Sequence, residues 1–147
     1  MTPNTKIRIG VIGAGRIGNL HAGHLAARIP GAELAAIADI NVAAAQSAAA
    51  QFNVPTAVSD YHALLGDPAI EAIVICTTAD THAQIIQDAA AAGKQIFCEK
   101  PIDFDLGRID RTLEAVEKAG VKLQIGFNRR FDPNFRRVRE LVASGQV

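Results

Sequence analysis

The 147-residue sequence predicts an α/β fold with a doubly wound, mostly parallel sheet. Three observations carry that expectation. Short apolar runs alternate with stretches of helical spacing along most of the chain; Gly13-Ala14-Gly15-Arg16-Ile17-Gly18 stands between the first run and the first helix; and Asp39 closes the second run, 21 positions beyond Gly18. Alternation of this kind requires right-handed crossovers and helices on both faces of the sheet.

Residues 6–12 form a continuous apolar run and predict the first strand. The glycines then turn the chain into a helix reaching about residue 29, in which Ile17, Leu20, Leu25 and Ile29 recur at helical spacing and predict the stripe that faces the sheet. Residues 33–38 predict the second strand and the alanine-rich stretch 42–52 the second helix, with Pro55 barring its continuation. A short strand near Ala57-Val58 leads to a helical segment over 61–65, closed by Gly66-Asp67-Pro68. Residues 72–76 predict a fourth strand; Asp80-Thr81-His82 opens a helix through Ala92 with Gly93 as its cap; residues 95–98 predict the fifth strand. Leu106, Ile109, Leu113 and Val116 mark the next helix, Gly120 ends it, and residues 122–126 predict the sixth strand. Asp132-Pro133 then starts a helix over 134–143, stopped near Gly145, and Val147 reads as the start of a further strand. The expected organisation is a dinucleotide-binding domain over 1–127 and a linker and helix over 128–147 leading toward a further domain.

Lysines plus arginines number 15 and so do aspartates plus glutamates, so no global charge draws the chain to nucleic acid or acidic lipid. Charges interrupt every apolar stretch long enough to span a bilayer, and Met1-Thr2-Pro3-Asn4-Thr5-Lys6 lacks a signal-peptide pattern; a cytoplasmic protein with no membrane partner is expected. Cys76 and Cys98, each in an apolar run, suit buried thiols rather than a disulfide framework. His21, His24 and His62 have no carboxylate or cysteine at ligand spacing, so no metal site is expected.

The glycine hexapeptide matches G-x-G-x-x-G in its required context, directly after a strand and directly before a helix. Gly13 permits the tight turn, Gly15 lets a pyrophosphate approach, and Gly18 lets helix and strand pack closely. The free amides around Arg16 and Ile17, with the positive end of the helix dipole, suit phosphate oxygens. Asp39 is placed to accept hydrogen bonds from both hydroxyls of an adenosine ribose while repelling a 2′-phosphate, and it also suits capping of the next helix. Ile40-Asn41-Val42-Ala43 offers no cation to receive that phosphate, so NAD is expected over NADP; Arg16, within reach of the pyrophosphate or adenine, leaves use of both open. Cys76, Thr77 and Thr78 follow the fourth strand and are expected to face the cofactor from the same edge. His82, at a helix start, suits either a cofactor contact or a capping and packing role.

Glu99-Lys100-Pro101 follows the fifth strand, on the edge where open α/β sheets bind ligands. A lysine there suits stabilisation of a developing alkoxide, or simply a surface position at a strand end. The stretch Gly10 to Gly18 with His21, the stretch 61–75, Gly93-Lys94 and Glu99-Lys100-Pro101 together resemble the Gfo/Idh/MocA oxidoreductase family. Gly126-Phe127-Asn128-Arg129-Arg130-Phe131-Asp132 is similar to its inositol 2-dehydrogenase branch.

That resemblance implies a Rossmann domain binding NAD or NADP, followed in the family by a second α/β domain that closes the substrate pocket and builds homo-oligomers. This chain matches only the first. By resemblance Lys100 hydrogen-bonds the reacting hydroxyl and helps its proton leave as hydride moves to nicotinamide, Glu99 orients the loop and contributes to the cofactor site, and Pro101 stiffens it through a cis peptide bond. The family's usual base, a histidine four residues from an aspartate, belongs to the second domain. No histidine follows Lys100 here, and Asp103, Asp105, Asp110 and Asp132 cannot complete such a pair. Thr78 stands where the family often has proline.

Arg129, Arg130, Arg136, Arg137 and Arg139 suit polyol contact, domain docking, nucleic-acid binding or a solvated face. Neutral overall charge and the absence of interleaved aromatics argue against nucleic acid. By resemblance Arg130 lies near the substrate mouth and touches polyol oxygens, the later arginines being surface. The expected function is the NAD-binding portion of a dehydrogenase oxidising a secondary hydroxyl of a cyclic polyol or sugar, the chain alone binding NAD without full turnover. A non-catalytic dinucleotide sensor or docking module is the alternative.

Overall fold

In the computed structural model, which describes residues 6–147, the first apolar run forms β1 (Ile7–Ile12). The stretch Met1 to Thr5, part of the signal-peptide reading, lies outside the described residues. The glycine loop leads into α1 (Arg16–Ala27), and β2 (Ala32–Ala38), α2 (Val42–Phe52), β3 (Thr56–Val58) and α3 (His62–Gly66) follow. The second half comprises β4 (Ala72–Ile75), α4 (Ala79–Ala91), β5 (Gln95–Cys98), α5 (Leu106–Ala119) and β6 (Leu123–Ile125), then a 3₁₀ turn (Asn128–Phe131) and α6 (Pro133–Ala143).

The strands form one sheet in the order β3-β2-β1-β4-β5-β6, with every neighbouring pair parallel. This is the expected doubly wound arrangement: the chain winds outward from β1 in one direction and then returns to β4 and winds outward in the other. The register aligns the strand ends. Val58, Ala38, Ile12, Ile75, Cys98 and Ile125 pair successively across the sheet, so Ser59, Asp39, Gly13, Cys76, Glu99 and Gly126 all leave it at one edge.

Successive strand residues feed opposite cores, as strand geometry requires, except at the register shift in β2, where Ala35 and Ala36 share one. Ile12, Ile73 and Ile75 pack with Leu64, Ile85, Ile86 and Cys98 on one face. Val11, Ile37 and Val74 pack with Leu25, Ala45 and Ala48 on the other. Each fully buried isoleucine contributes roughly 2–3 kcal/mol of transfer free energy.

Helix ends follow local chemistry. The Asn41 side chain accepts from the Ala44 amide, Asp105 accepts from the Arg108 amide at 2.7 Å, and Asp132 accepts from Asn134 with Pro133 in the first helical position.

Two helices bury only part of the stripe that their large apolar residues predict. α1 ends at Ala27, leaving Leu20 and Ile29 about half exposed, and buries the expected Leu25 together with Gly18 and Ala22. Small residues let this helix lie close to the sheet, so proximity outweighs bulk. α5 buries Thr112 and Val116, while Leu106 and Leu113 are exposed. The Thr112 hydroxyl is satisfied by the Arg108 carbonyl and the Gln87 amide, which removes the cost of burying it.

The 3₁₀ turn, which no periodicity foretells, and α6 bury no residue, and Phe131, Phe135, Val138 and Val142 are exposed. Among the described residues no helix is long and apolar enough to cross a membrane.

Candidate dinucleotide site

A cleft of about 850 Å³ opens at the carboxyl edge of the sheet, between the loops that leave β1 and β4. Its floor is the glycine loop. Gly13 has φ +98°, and a Cβ there would stand 2.7 Å from the Cys76 backbone. A Cβ on Gly18 would collide with the Gly13 carbonyl oxygen. Gly15, by contrast, faces open space within 4 Å, at the N-terminus of α1. No side chain caps α1, and its first turn carries no acidic residue. The first amides of Arg16, Ile17 and Gly18 therefore open onto a cradle suited to an anion. Asn19 stiffens the loop by donating to the Ala14 carbonyl at 2.6 Å and the Gly15 carbonyl at 3.0 Å. The Arg16 side chain is exposed and that of Ile17 half-buried.

Asp39 leaves β2 beside this loop. Its Oδ2 accepts from the Ala14 amide at 2.6 Å and its Oδ1 from the Asn41 amide at 2.8 Å. Each carboxylate oxygen retains a further lone pair for hydroxyl donors. Capping of α2 is performed by Asn41, which frees Asp39 from that duty. Ile40 projects almost fully into solvent, 96 % exposed, at the rim of the cleft.

The opposite wall is Cys76, Thr77 and Thr78. The Thr81 hydroxyl lies 2.7 Å from Thr77 Oγ1 and 2.8 Å from the Thr78 carbonyl oxygen, fixing the turn into α4. Burial pushes the Cys76 and Cys98 thiols up to about 12, and both are free.

His82 takes the packing alternative. It is 2 % exposed, with Nδ1 2.7 Å from the Pro101 carbonyl oxygen and Nε2 3.1 Å from that of Thr77. Buried against these two carbonyl oxygens, its side chain packs behind the residues that line the cleft. Glu99 pairs with His21 at 2.9 Å, Lys100 is exposed just beyond β5, and the Lys100-Pro101 bond is cis. Arg130 is exposed in the 3₁₀ turn after β6. Arg136 and Arg137 both reach Glu140, as surface arginines do.

Sequence reasoning missed the far wall: Ser59, Asp60, Tyr61, His62 and Gln84 also line the cleft. Their signal was the position of Ser59, directly after β3 in the common row of strand ends. The Tyr61 hydroxyl donates to Asp88 at 2.7 Å, and burial with that carboxylate raises the phenol above its ordinary range. The His62 amide and ring hold the Asp60 carboxyl below its usual range. Among the described residues no group of three or more His, Cys, Asp or Glu side chains forms a metal site.

Comparison with known proteins bears directly on this cleft. The family described as "Oxidoreductase family, NAD-binding Rossmann fold" (GFO_IDH_MocA) matches residues 7–127. The uncharacterized oxidoreductase YrbE of Bacillus subtilis is 47 % identical over 142 residues, covering 97 % of this chain and 41 % of the relative. The myo-inositol 2-dehydrogenase of Thermotoga maritima is 41 % identical over 141 residues, covering 96 % of this chain and 42 % of the relative. A crystal structure of scyllo-inositol dehydrogenase from Lactobacillus casei with bound NAD(H) and scyllo-inositol superposes with a TM-score of 0.91 at 33 % identity, covering 97 % of this chain and 42 % of that one. The chain thus spans about two fifths of the length of the curated relatives it matches. Family model, identity and fold agree, and the chain belongs to the Gfo/Idh/MocA oxidoreductase family, whose NAD-binding Rossmann fold it carries.

Proposed function

We propose that this chain is the NAD-binding portion of an NAD-dependent dehydrogenase oxidising a secondary hydroxyl of a cyclic polyol or sugar, with inositols as the leading substrate class. The observation that carries the reading is the common row of strand ends, which brings Gly13, Asp39, Cys76 and Glu99-Lys100 to one edge of the sheet. Inositol dehydrogenases among the relatives support the substrate class.

The residues present fit the cofactor. Gly15 leaves open the space a pyrophosphate needs, and the first amides of α1 supply donors without a competing carboxylate. Asp39 receives the ribose hydroxyls, Ile40 shields the adenosine side, and Cys76, Thr77 and Thr78 face the cofactor from the second wall. When bound, the nicotinamide accepts a hydride from the substrate carbon. Lys100 donates a hydrogen bond to the reacting hydroxyl and stabilises the alkoxide that develops there, a charge-assisted contact of the kind strongest in a dry site. Glu99 orients that loop, and Arg130 touches polyol oxygens at the mouth. The general base comes from a further domain, as do the substrate's other contacts and the contacts that build a homo-oligomer. Residues 1–127 form the dinucleotide-binding domain and 128–147 the linker and helix toward that further domain, in keeping with a 3₁₀ turn and α6 that bury nothing. A cytoplasmic location accords with NAD chemistry.

The test has two arms. Calorimetry with the 147-residue chain is expected to show NAD binding, and incubation with NAD and myo-inositol to produce no NADH. In the longer parent, Lys100→Ala is expected to cut turnover about 100-fold or more with NAD affinity nearly unchanged. Unchanged turnover would sink the catalytic role and leave a dinucleotide-binding module.

A further inference from the structure

Two histidines outside the cleft grip the loop that carries Lys100, one on each side of it. On the far side, His82 of α4 places Nδ1 2.7 Å from the Pro101 carbonyl oxygen and Nε2 3.1 Å from the Thr77 carbonyl oxygen. On the near side, His21 of α1 places Nε2 2.9 Å from Glu99 Oε1, with its ring 5.1 Å from that of Phe97. The neighbours of Lys100 in sequence are thus tied to two different helices. Each of those helices begins at the cleft, α1 from the glycine loop and α4 from the Thr77-Thr78 turn.

These contacts are confined. Both neighbours of His82 are carbonyl oxygens, so the single N–H of a neutral ring donates to one of them, and the shorter contact, from Nδ1 to Pro101, takes it. At 2 % exposure the ring cannot turn away without leaving a buried polar group unpaired. Glu99 lies close to the Gly126 backbone as well, since a Cβ on Gly126 would stand only 3.2 Å from its carboxyl group and from the Phe97 ring. The exposed Lys100 side chain is long and flexible, so its aim depends on how firmly its backbone root is fixed. Catalytic geometry is demanding, a displacement of about 1 Å costing on the order of 100-fold in rate.

We propose that His82 and His21 are positioning residues for Lys100. His82 fastens the Lys100-Pro101 loop to α4, the helix that begins at the Thr77-Thr78 turn, and His21 fastens Glu99 to the phosphate-binding helix, so the ammonium keeps a fixed place relative to a bound dinucleotide. The proposal rests on the reading of Lys100 as the residue beside the nicotinamide.

The experiment uses NMR of the 147-residue chain carrying ¹³C-labelled lysine, with NAD as the probe. The chain has five lysines, Lys6, Lys94, Lys100, Lys118 and Lys122, and Lys100→Ala assigns the signal of interest. In the unsubstituted chain the Lys100 Cε resonance is expected to shift on saturation with NAD. In His82→Ala and His21→Ala that shift is expected to fall by about half or more, with NAD affinity within about threefold of the original. His82→Asn, whose amide can donate where Nδ1 does, is expected to restore the response, whereas His82→Gln, which reaches toward Thr77, is not. A lowered melting temperature with a full Lys100 response in both alanine variants would overturn the proposal. If His82→Ala fails to fold, His21→Ala and the Asn and Gln pair make the same comparison. Absence of any Lys100 shift in the unsubstituted chain, with NAD bound, would overturn the reading of Lys100 itself and the proposal with it.

Discussion

The Asp39 carboxylate accepts the Ala14 amide at 2.6 Å, joining the end of β2 to the glycine loop 25 residues earlier in the chain. One side chain therefore shapes the glycine loop and, in the function proposed, also presents acceptors to a ribose. Asp39→Ala is expected to weaken NAD binding about tenfold or more and to destabilise the fold by roughly 1–3 kcal/mol through the loss of a charge-assisted bond. Asp39→Asn keeps one acceptor for the Ala14 amide but turns its NH2 toward the Asn41 amide, so it should recover only part of the stability while losing discrimination against NADP. Titrations with both cofactors and urea denaturation separate the two effects.

Gly15 and Gly18 divide binding from folding. Gly15→Ala adds a methyl group where nothing lies within 4 Å, so the melting temperature should hold while NAD affinity falls. Gly18→Ala drives a methyl group into the Gly13 carbonyl, a backbone atom that cannot step aside. It is expected to destabilise by about 3 kcal/mol or more, read by denaturation of the chain without cofactor.

Lys94 is 6 % exposed and donates to the Asp67 and Ile70 carbonyl oxygens at 2.7 and 2.8 Å. Lys94→Met keeps the stem but strands the Ile70 carbonyl, while the Asp67 carbonyl still accepts from the Ile70 amide, with an expected cost of about 1–3 kcal/mol in urea denaturation. The contact lies before β4, away from the carboxyl edge, so NAD affinity of the folded variant should be unchanged.

Asp103 carries a pH dependence of known sign. The Asp105 amide foremost, with the Phe104 amide and the Arg108 guanidinium, holds its carboxyl below the usual range against the opposing effect of burial. A depressed folded-state value means that the stability it contributes is present above the unfolded value of about 3.9 and is lost as pH falls through the lower folded value. Acid denaturation followed by circular dichroism should show this loss, and Asp103→Asn should flatten that part of the profile.

Much of this architecture was legible because its signals are local. A strand, a glycine turn and a helix occupy consecutive residues, and Asp39 stands at a spacing set by one βαβ unit. What escaped depends on distance in the chain or on closeness of packing. His21 meets Glu99 across 78 residues, and no periodicity records that encounter. The sheet-facing side of α1 is only partly legible, because bulk marks a stripe in sequence and picks out Leu25, whereas the small Gly18 and Ala22 let the helix approach and leave no such mark. Lys94 looks like a surface cation until the Asp67 to Ile70 turn folds over its ammonium. The 3₁₀ turn has too few residues to display any period.

The pairing of β1 with β4 places side by side two loops that the chain makes far apart, with α1, β2, α2, β3 and α3 between them. A growing chain that has reached α3 already holds the whole glycine loop but lacks its opposite wall. The second wall of the cleft therefore arises only when the late strand finds the early one, a non-local contact of the kind that slows folding. A cofactor that touches both walls stabilises the joined sheet by mass action more than it stabilises the first half alone. The nucleotide then works as a ligand of completion, drawing the folding equilibrium toward chains whose two halves have met.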